Sequence, residues 1–356
     1  MILQEWTLIR PIWILLAFSY GWGSLPARAA LTLDISNPQY FGWGVAAQAA
    51  LDATAISLEN QFNSTVAASE SAGFLTQVGN ANAMSTRSVL SPGVSEASYK
   101  FSGSFNLSGG LAGGMSVNNQ SNSLPPVGVA AQSGITLGAN GDYIKIFRGL
   151  DPKRVMYHVS YYQVNIGSYF PGSGIDSNAS QVSAGISYQL YNRRNWLPGI
   201  DFNGIHLSSA FSYANFDASY TTPFTLSSGG INMVSDITLT VDSSIFTFSN
   251  EATVGIRAFY FLDFFTGLGV DFNFGSTNLS GISSNGSVSA SDGGGSLGYS
   301  ADANVSGDVG SEGPTIAQLR LILGTQVNMG PFAIFAQANA STPNAYSLNF
   351  GAKFGF

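Results

Sequence analysis

Ala345–Phe356 reads AYSLNFGAKFGF. Tyr346, Leu348, Phe350, Ala352, Phe354 and Phe356 share one face; Ser347, Asn349, Gly351, Lys353 and Gly355 share the other. Alternation with a period of two is the mark of a β-strand. The stretch is long enough to cross a bilayer at a tilt, which takes about 9–11 residues. In a soluble protein, an exposed strand with so apolar a face would be an aggregation hazard. In lipid it is stable only when its backbone groups are all paired, which requires a closed barrel.

The composition agrees. Of 356 residues, 9% are charged and 45% hydrophobic, whereas charged residues make up roughly a quarter of an ordinary soluble domain. Beyond residue 30 no apolar run reaches the length of a membrane helix. A wall of strands, apolar at alternate positions, satisfies both observations.

Other segments repeat the pattern. Val182 to Leu190, Ile205 to Tyr213, Val254 to Leu262, Phe264 to Phe274 and Ala317 to Val327 each place apolar residues at every second position. Short connections punctuate them at Gly149–Lys153, Asn192–Gly199, Asp263 and Asn328–Gly330. The stretches 108–141, 216–251 and 281–313 are long and rich in glycine, serine and asparagine, and read as loops. With both termini in the periplasm, short turns and long outer loops alternate as in bacterial barrels. The expectation is an all-β transmembrane antiparallel barrel of ten strands, near 99–107, 142–149, 154–169, 179–191, 203–215, 252–262, 264–280, 314–327, 331–340 and 345–356. Alternation at Ile237, Leu239 and Val241, and a hairpin within 109–137, would raise the count to 12 or 14.

The last strand also resembles the terminal strand of bacterial outer-membrane barrels, with Phe350, Phe354 and Phe356 as the matching residues. That likeness implies insertion by the barrel assembly machinery. Residues 1–29 read as a cleaved secretory signal: Arg10, the apolar core Pro11–Tyr20, and Ala27-Arg28-Ala29 as the cleavage site. Removing them leaves 11 basic and 19 acidic residues, with no basic excess to bind nucleic acid. The chain has no cysteine, which excludes disulfides, thiolate chemistry and zinc–thiolate sites.

Residues 30–98 form a separate N-terminal segment ahead of the barrel at 99–356. Within it, 45–68 has helical spacing at Leu51, Ala55, Leu58, Phe62 and Val66, with Asp52 and Glu59 on the other face. This amphipathic helix is expected either to plug the lumen or to lie in the periplasm. The helix, Phe74-Leu75, Asn80-Ala81-Asn82-Ala83 and the YFLDFFTGLG segment at 260–269 resemble a family of surface proteins of leptospiral outer membranes. The resemblance implies a surface-exposed adhesin and carries no binding residue with it. Low lysine content departs from the family.

No catalytic constellation emerges. The two histidines are His158 and His206; His158 reads as an interfacial side chain and His206 as a lumen residue, without the third orienting group that a catalytic pair needs. Gly293–Gly295 lacks the lysine of a phosphate loop, and Asp292, Asp302 and Asp308 lack a calcium-loop spacing. Trp43, Tyr191, Trp196, Phe259 and Phe261 fit an interfacial aromatic girdle. No enzyme, metal or cofactor is expected.

The polar face is more informative. Arg257, Asp271, Arg320, Lys353 and His206 point inward, alongside glycines such as Gly185, Gly267, Gly269, Gly324 and Gly351 that would make room for another backbone. Asp52 and Glu59 are the expected partners of the inward cations if the helix is a plug; otherwise Asp271 and water must serve. Two functions compete: a surface-exposed structural or adhesin-like protein that works through its loops, meeting membrane lipid and a host or extracellular ligand, and a narrow porin or channel for small solutes.

Overall fold

The computed structural model describes residues 32–65, 71–89, 99–113, 127–144, 146, 149–165, 175–228, 231–291 and 298–356. The signal segment 1–29, the end of the expected helix at 66–68, Asp292 and Gly293–Gly295 lie outside them.

Thirteen strands form one antiparallel sheet. They are β1 (Thr32–Phe41), β2 (Phe101–Gly113), β3 (Val127–Asn140), β4 (Val155–Asn165), β5 (Ile175–Tyr191), β6 (Arg194–Leu197), β7 (Ile200–Ser228), β8 (Ile231–Ala258), β9 (Leu262–Ser291), β10 (Gly298–Glu312), β11 (Ala317–Met329), β12 (Phe332–Ser341) and β13 (Ala345–Gly355). Two helices, α1 (Val45–Thr65) and α2 (Ser71–Ser85), precede the barrel strands, and a 3-10 turn (Thr86–Val89) follows α2.

From β2 through β5, β7 to β9 and β11 to β13, each strand pairs with the next, and β13 pairs back onto β2. These ten strands close the ring, which leaves no free edge within lipid. β10 and β1 continue the sheet from the upper half of β9, so twelve long strands and the four-residue β6 make the whole.

The ten expected strands correspond to this ring, with one misplacement. The described residues of 142–149 (142–144, 146 and 149) are not in a strand; the second strand is β3, cut from the stretch read as a loop at 108–141. The stretches 216–251 and 281–313 are also mostly strand, because β7, β8 and β9 run on to 28–30 residues each.

The alternation explains why. Along β8 below Ile245, the outward residues Phe246, Val254 and Ile256 are apolar and the buried ones, Thr247, Ser249, Glu251 and Thr253, polar. Above it the polarity inverts. Ile231, Met233, Ile237 and Val241 are buried, while Asn232, Asp236, Asp242 and Ser244 are exposed. The same inversion occurs on β7 around Ala214 and on β9 around Gly275, and these residues are register partners of Ile245.

The row Ala214–Ile245–Gly275 therefore marks the outer edge of the lipid-facing belt, since lipid selects an apolar exterior and water a polar one. At about 3.3 Å per residue, β8 runs roughly 45 Å along its own axis beyond that row. At Gly275 β9 exchanges β11 for β10 as neighbour, with a φ of 140° that disfavours any side chain.

Above the belt, upper β7, β8, β9, β10 and β1 form a projecting five-stranded sheet. Its apolar face packs on α1 and α2 in one core that includes Leu33, Leu58, Leu75, Val78, Ile237 and Val305. Leu58 and Leu75 are fully buried, each contributing about 2 kcal/mol by removing apolar area from water. Both free edges of this sheet carry a proline, Pro38 on β1 and Pro223 on β7. Proline cannot donate to an incoming strand and so blunts edge-to-edge association.

Candidate functional site: a helix held in the barrel lumen

The lumen is occupied by α2 rather than by 45–68. The expected plug, α1, lies above the rim against β1, β7 and β8. Asp52, expected to meet the inward cations, instead accepts a hydrogen bond from the Tyr40 hydroxyl, which pushes the Tyr40 pKa up to about 12. Glu59 belongs to the same helix, and its side chain lies outside the described residues. The sequence signal misled because 45–65 does have an apolar stripe, but the surface awaiting it is the projecting sheet.

α2 divides into two halves. Phe74, Leu75 and Val78 enter the core of the projecting sheet. Below them Asn80, Ala81, Asn82, Ala83, Met84 and Ser85 have no exposed surface. Small residues allow the helix backbone to approach the wall, and the wall answers with glycine. A Cβ on Gly110 would stand 2.1 Å from the Ala81 carbonyl oxygen, and one on Gly128 2.1 Å from that of Gln77.

These two glycines lie in the stretch read as a loop. The inward glycines singled out from sequence make room mainly for wall groups: Gly269 for Arg320, Gly324 for Phe265, Gly185 for His158 and Gly351 for Phe335 and Asn106.

Asn80, Asn82 and Ser85 of the plug reach different parts of the wall. The Asn80 side-chain oxygen accepts from the Thr315 amide at 2.8 Å and from Gln318 at 3.0 Å. Asn82 donates to Ser243 Oγ at 3.3 Å. The Ser85 carbonyl accepts from Ser108 at 2.6 Å, and its hydroxyl accepts from Gln132 at 2.8 Å. A buried polar group is stable only when paired, so these contacts fix the helix in one register.

Arg87, just below α2, completes the attachment. It lies 3.4 Å from Asp271, donates to Asn273 at 3.2 Å, and hydrogen bonds Ser249. Asp271 also accepts from Arg320 Nε at 3.0 Å, and Arg320 reaches Glu251 at 3.2 Å and Asn339 at 3.1 Å. Two cations thus face two carboxylates, and the cluster is neutral as a unit. Neutrality matters because an unpaired charge in such a place costs several kcal/mol. The plug contributes a cation to this cluster, the opposite sign to that expected of a helix bearing Asp52 and Glu59.

Arg257 belongs to a second group nearer the Phe356 rim. It donates to Asp263 through two nitrogens, at 2.6 and 2.9 Å, and Asp263 also accepts from Asn203 at 2.8 Å and Asn328 at 2.6 Å. Lys353 is half-buried on β13, in register with Ala333 and Ser104 and away from Arg320. His206 is buried, its Nε2 placed 3.2 Å from the Asn203 carbonyl, while Ser208 donates to Ser187 instead. His158 is also buried inside the wall rather than interfacial.

Phe350, Phe354 and Phe356 lie outward on or beside β13, with Phe354 and Phe356 stacked at 6.1 Å. Leu268 and Leu321 are likewise outward. Tyr191, Trp196, Phe259 and Phe261 ring the lower rim as exposed aromatics. Trp43 does not join them; it precedes α1 in the projecting part and accepts from Gln48 through its carbonyl.

Sequence reasoning missed Arg87 and Glu251. The available signals were slender: Arg87 is the one basic residue between Arg28 and Lys100, and Glu251 sits on the polar face of an alternating strand.

A closed antiparallel ring with an apolar exterior and a polar, ion-paired interior defines a β-barrel of the Gram-negative outer membrane, in contact with lipid around its belt. The model of the Lsa36-like family matches residues 28–356, and the chain belongs to that family. Several solved structures are similar to the chain at low identity. The translocator domain of the autotransporter NalP from Neisseria meningitidis is 14% identical, with a TM-score of 0.33, over 74% of this chain and 91% of that one. The KdgM porin in complex with disordered oligogalacturonate is 6% identical, TM-score 0.27, over 71% and 99%. A FadL homologue from Pseudomonas aeruginosa is 9% identical, TM-score 0.27, over 80% and 100%. Among curated protein sequences none matches the chain.

Proposed function

We propose that this protein is a surface-exposed barrel with a closed lumen, working through its projecting sheet rather than through transport or catalysis. The observation that carries this reading is the seating of α2: three polar residues of the plug, Asn80, Asn82 and Ser85, are bonded to the wall, and Arg87 balances a buried charge cluster. A solute path would have to break these contacts, whereas the projecting sheet already stands well clear of the lipid belt.

The rim bearing the long hairpins is the outer one, because an extension of this size with a polar exterior suits the extracellular side of a barrel. The C-terminal phenylalanines then lie at the periplasmic rim, where the assembly machinery would meet them. The projecting part contains no lysine or arginine, and Asp217, Asp236, Asp242, Asp302 and Asp308 are exposed on it. Its adhesive partner is accordingly a neutral or cationic surface rather than an anionic glycan.

A narrow channel is the competing reading. It is favoured by the lumen face of β5, where the buried side chains of Gln181 and Ser183 have no hydrogen-bond partner among the described residues. Planar-bilayer recording of refolded protein separates the two. A closed lumen gives no stepwise conductance; regular single-channel steps from the unmodified protein would overturn the proposal in favour of the channel.

A further inference from the structure

The two ends of the plug lie at opposite rims. β1 pairs with β10 from Thr32↔Ser306 to Phe41↔Gly298, all beyond the row Ala214–Ile245–Gly275. α1 packs beside it. Descending, Gly79 of α2 lies against Thr277 and Pro314, Ser85 meets Ser108 halfway down β2, and Arg87 meets Asp271. Lys100 stands at the far rim, where its amide donates to the Phe356 carbonyl at 2.8 Å. From there β2 climbs back up the wall. A polypeptide cannot cross a closed hydrogen-bonded ring sideways. Residues 32–65 and the start of β2 are therefore on opposite sides of the membrane, joined through the lumen.

We infer that this barrel delivers its own N-terminal segment across the membrane and displays it on the cell surface, with β1 and α1 as the displayed part and α2 as the stretch retained in the lumen. The expectation from sequence placed the mature N-terminal end in the periplasm; the pairing of β1 with β10 places Thr32–Phe41 at the opposite rim. The retained stretch is fitted to its place. Gly110 and Gly128 accept its backbone, and Arg87 supplies the charge that leaves the wall cluster neutral. The displayed stretch finds its own site outside, where Leu33 and Leu58 complete the core of the projecting sheet and Asn37 donates to Asp302 at 2.8 Å.

A polypeptide joined ahead of Thr32 would emerge at the surface by the same route. The function follows from topology: the barrel carries residues 32–65 to the outer side, and Thr32–Phe41 finishes as a fifth strand that secures the outer sheet. This inference rests on the proposed orientation, with the long hairpins outside.

The chain contains no cysteine, so single cysteines report position cleanly. Gln39→Cys on β1 and Ala53→Cys on α1 replace exposed side chains; Asp236→Cys marks the long hairpin and Asp151→Cys a short turn at the Phe356 rim. Intact cells are treated with a membrane-impermeant maleimide, then permeabilised and treated again. Gln39→Cys, Ala53→Cys and Asp236→Cys are expected to react on intact cells, and Asp151→Cys after permeabilisation alone. If Gln39→Cys and Ala53→Cys follow Asp151→Cys instead of Asp236→Cys, threading through the lumen is overturned. If Asp151→Cys reacts on intact cells and the other three do not, the orientation fails and outward display fails with it. The two failures are thus distinguishable.

Discussion

Arg87→Met tests whether the buried charge cluster holds the plug in place. In the folded protein Arg87 and Arg320 balance Asp271 and Glu251, all four within the lumen and less than a tenth exposed. Methionine keeps much of the volume and removes the charge, leaving one cation between two carboxylates. Breaking a buried ionic arrangement by deleting one partner costs about 3–5 kcal/mol, chiefly through the charge left uncompensated. If that is the cause, neutrality should repair it. Glu251→Gln alone leaves a surplus positive charge and should also destabilise. The Arg87→Met/Glu251→Gln double variant retains Asp271 and Arg320, which are 3.0 Å apart in the parent, and the cluster is neutral again.

The double variant is therefore expected to be more stable than the sum of the single losses predicts, by about 1–3 kcal/mol, the range for residues sharing one network. Urea unfolding of protein refolded into lipid vesicles measures all four corners of the cycle. Conductance of the same samples reports whether the plug has loosened. Because the cluster is buried, added salt should change the coupling little. Arg87→Met within about 0.5 kcal/mol of the parent, or strictly additive losses, would refute the charge argument.

Other consequences follow from the same structure. Gly128→Leu places a side chain where the Gln77 carbonyl sits; it should expel α2 while leaving the wall folded, and appear as a new stepwise conductance with a lowered melting temperature. Leu268→Arg puts a charge on the lipid face and should cost roughly 2–4 kcal/mol at mid-bilayer, whereas Asp236→Arg on the projecting sheet should be near neutral; equal effects in vesicle-based unfolding would argue against the position of the belt. Gly275→Val combines an unfavourable φ of 140° with a Cβ 2.0 Å from the Ser244 carbonyl, and should abolish the heat-stable folded band in electrophoresis. Asp217 lies opposite Asp242 in register, and partial burial with the Asp242 and Asp176 charges raises its pKa. Its ionised form is thus disfavoured by folding, a destabilisation present at neutral pH and relieved as pH falls through the raised pKa. Asp217→Asn should therefore raise the melting temperature at pH 7 and do so progressively less toward about pH 3.

Alternation alone, read from AYSLNFGAKFGF and its counterparts, was sufficient to give a closed antiparallel barrel and its lipid-facing register. That information is local: a period of two assigns every residue to one face or the other, and lipid forces the apolar face outward. Inward Arg257, Asp271 and Arg320 were legible for the same reason. Alternation does not say which medium each face meets, so 216–251 and 281–313 read as loops although their strands continue with the polarity reversed. Only the pairing of Ala214, Ile245 and Gly275 in one row shows where lipid ends.

The plug was equally hidden. Helical patterning is weak in 45–65 and 71–85 alike and does not tell which helix enters the lumen; lower α2 carries the small and polar residues that a barrel interior requires. Gly110 and Gly128 signify nothing until the helix backbone is seen against them, and Arg87 is one more arginine until Asp271 and Glu251 are brought round it from two other strands. The sequence determined what could stand in the membrane; the closure of the ring determined what passes through it, since only a closed wall turns a linear order of elements into an inside, an outside and a side of the membrane for each end.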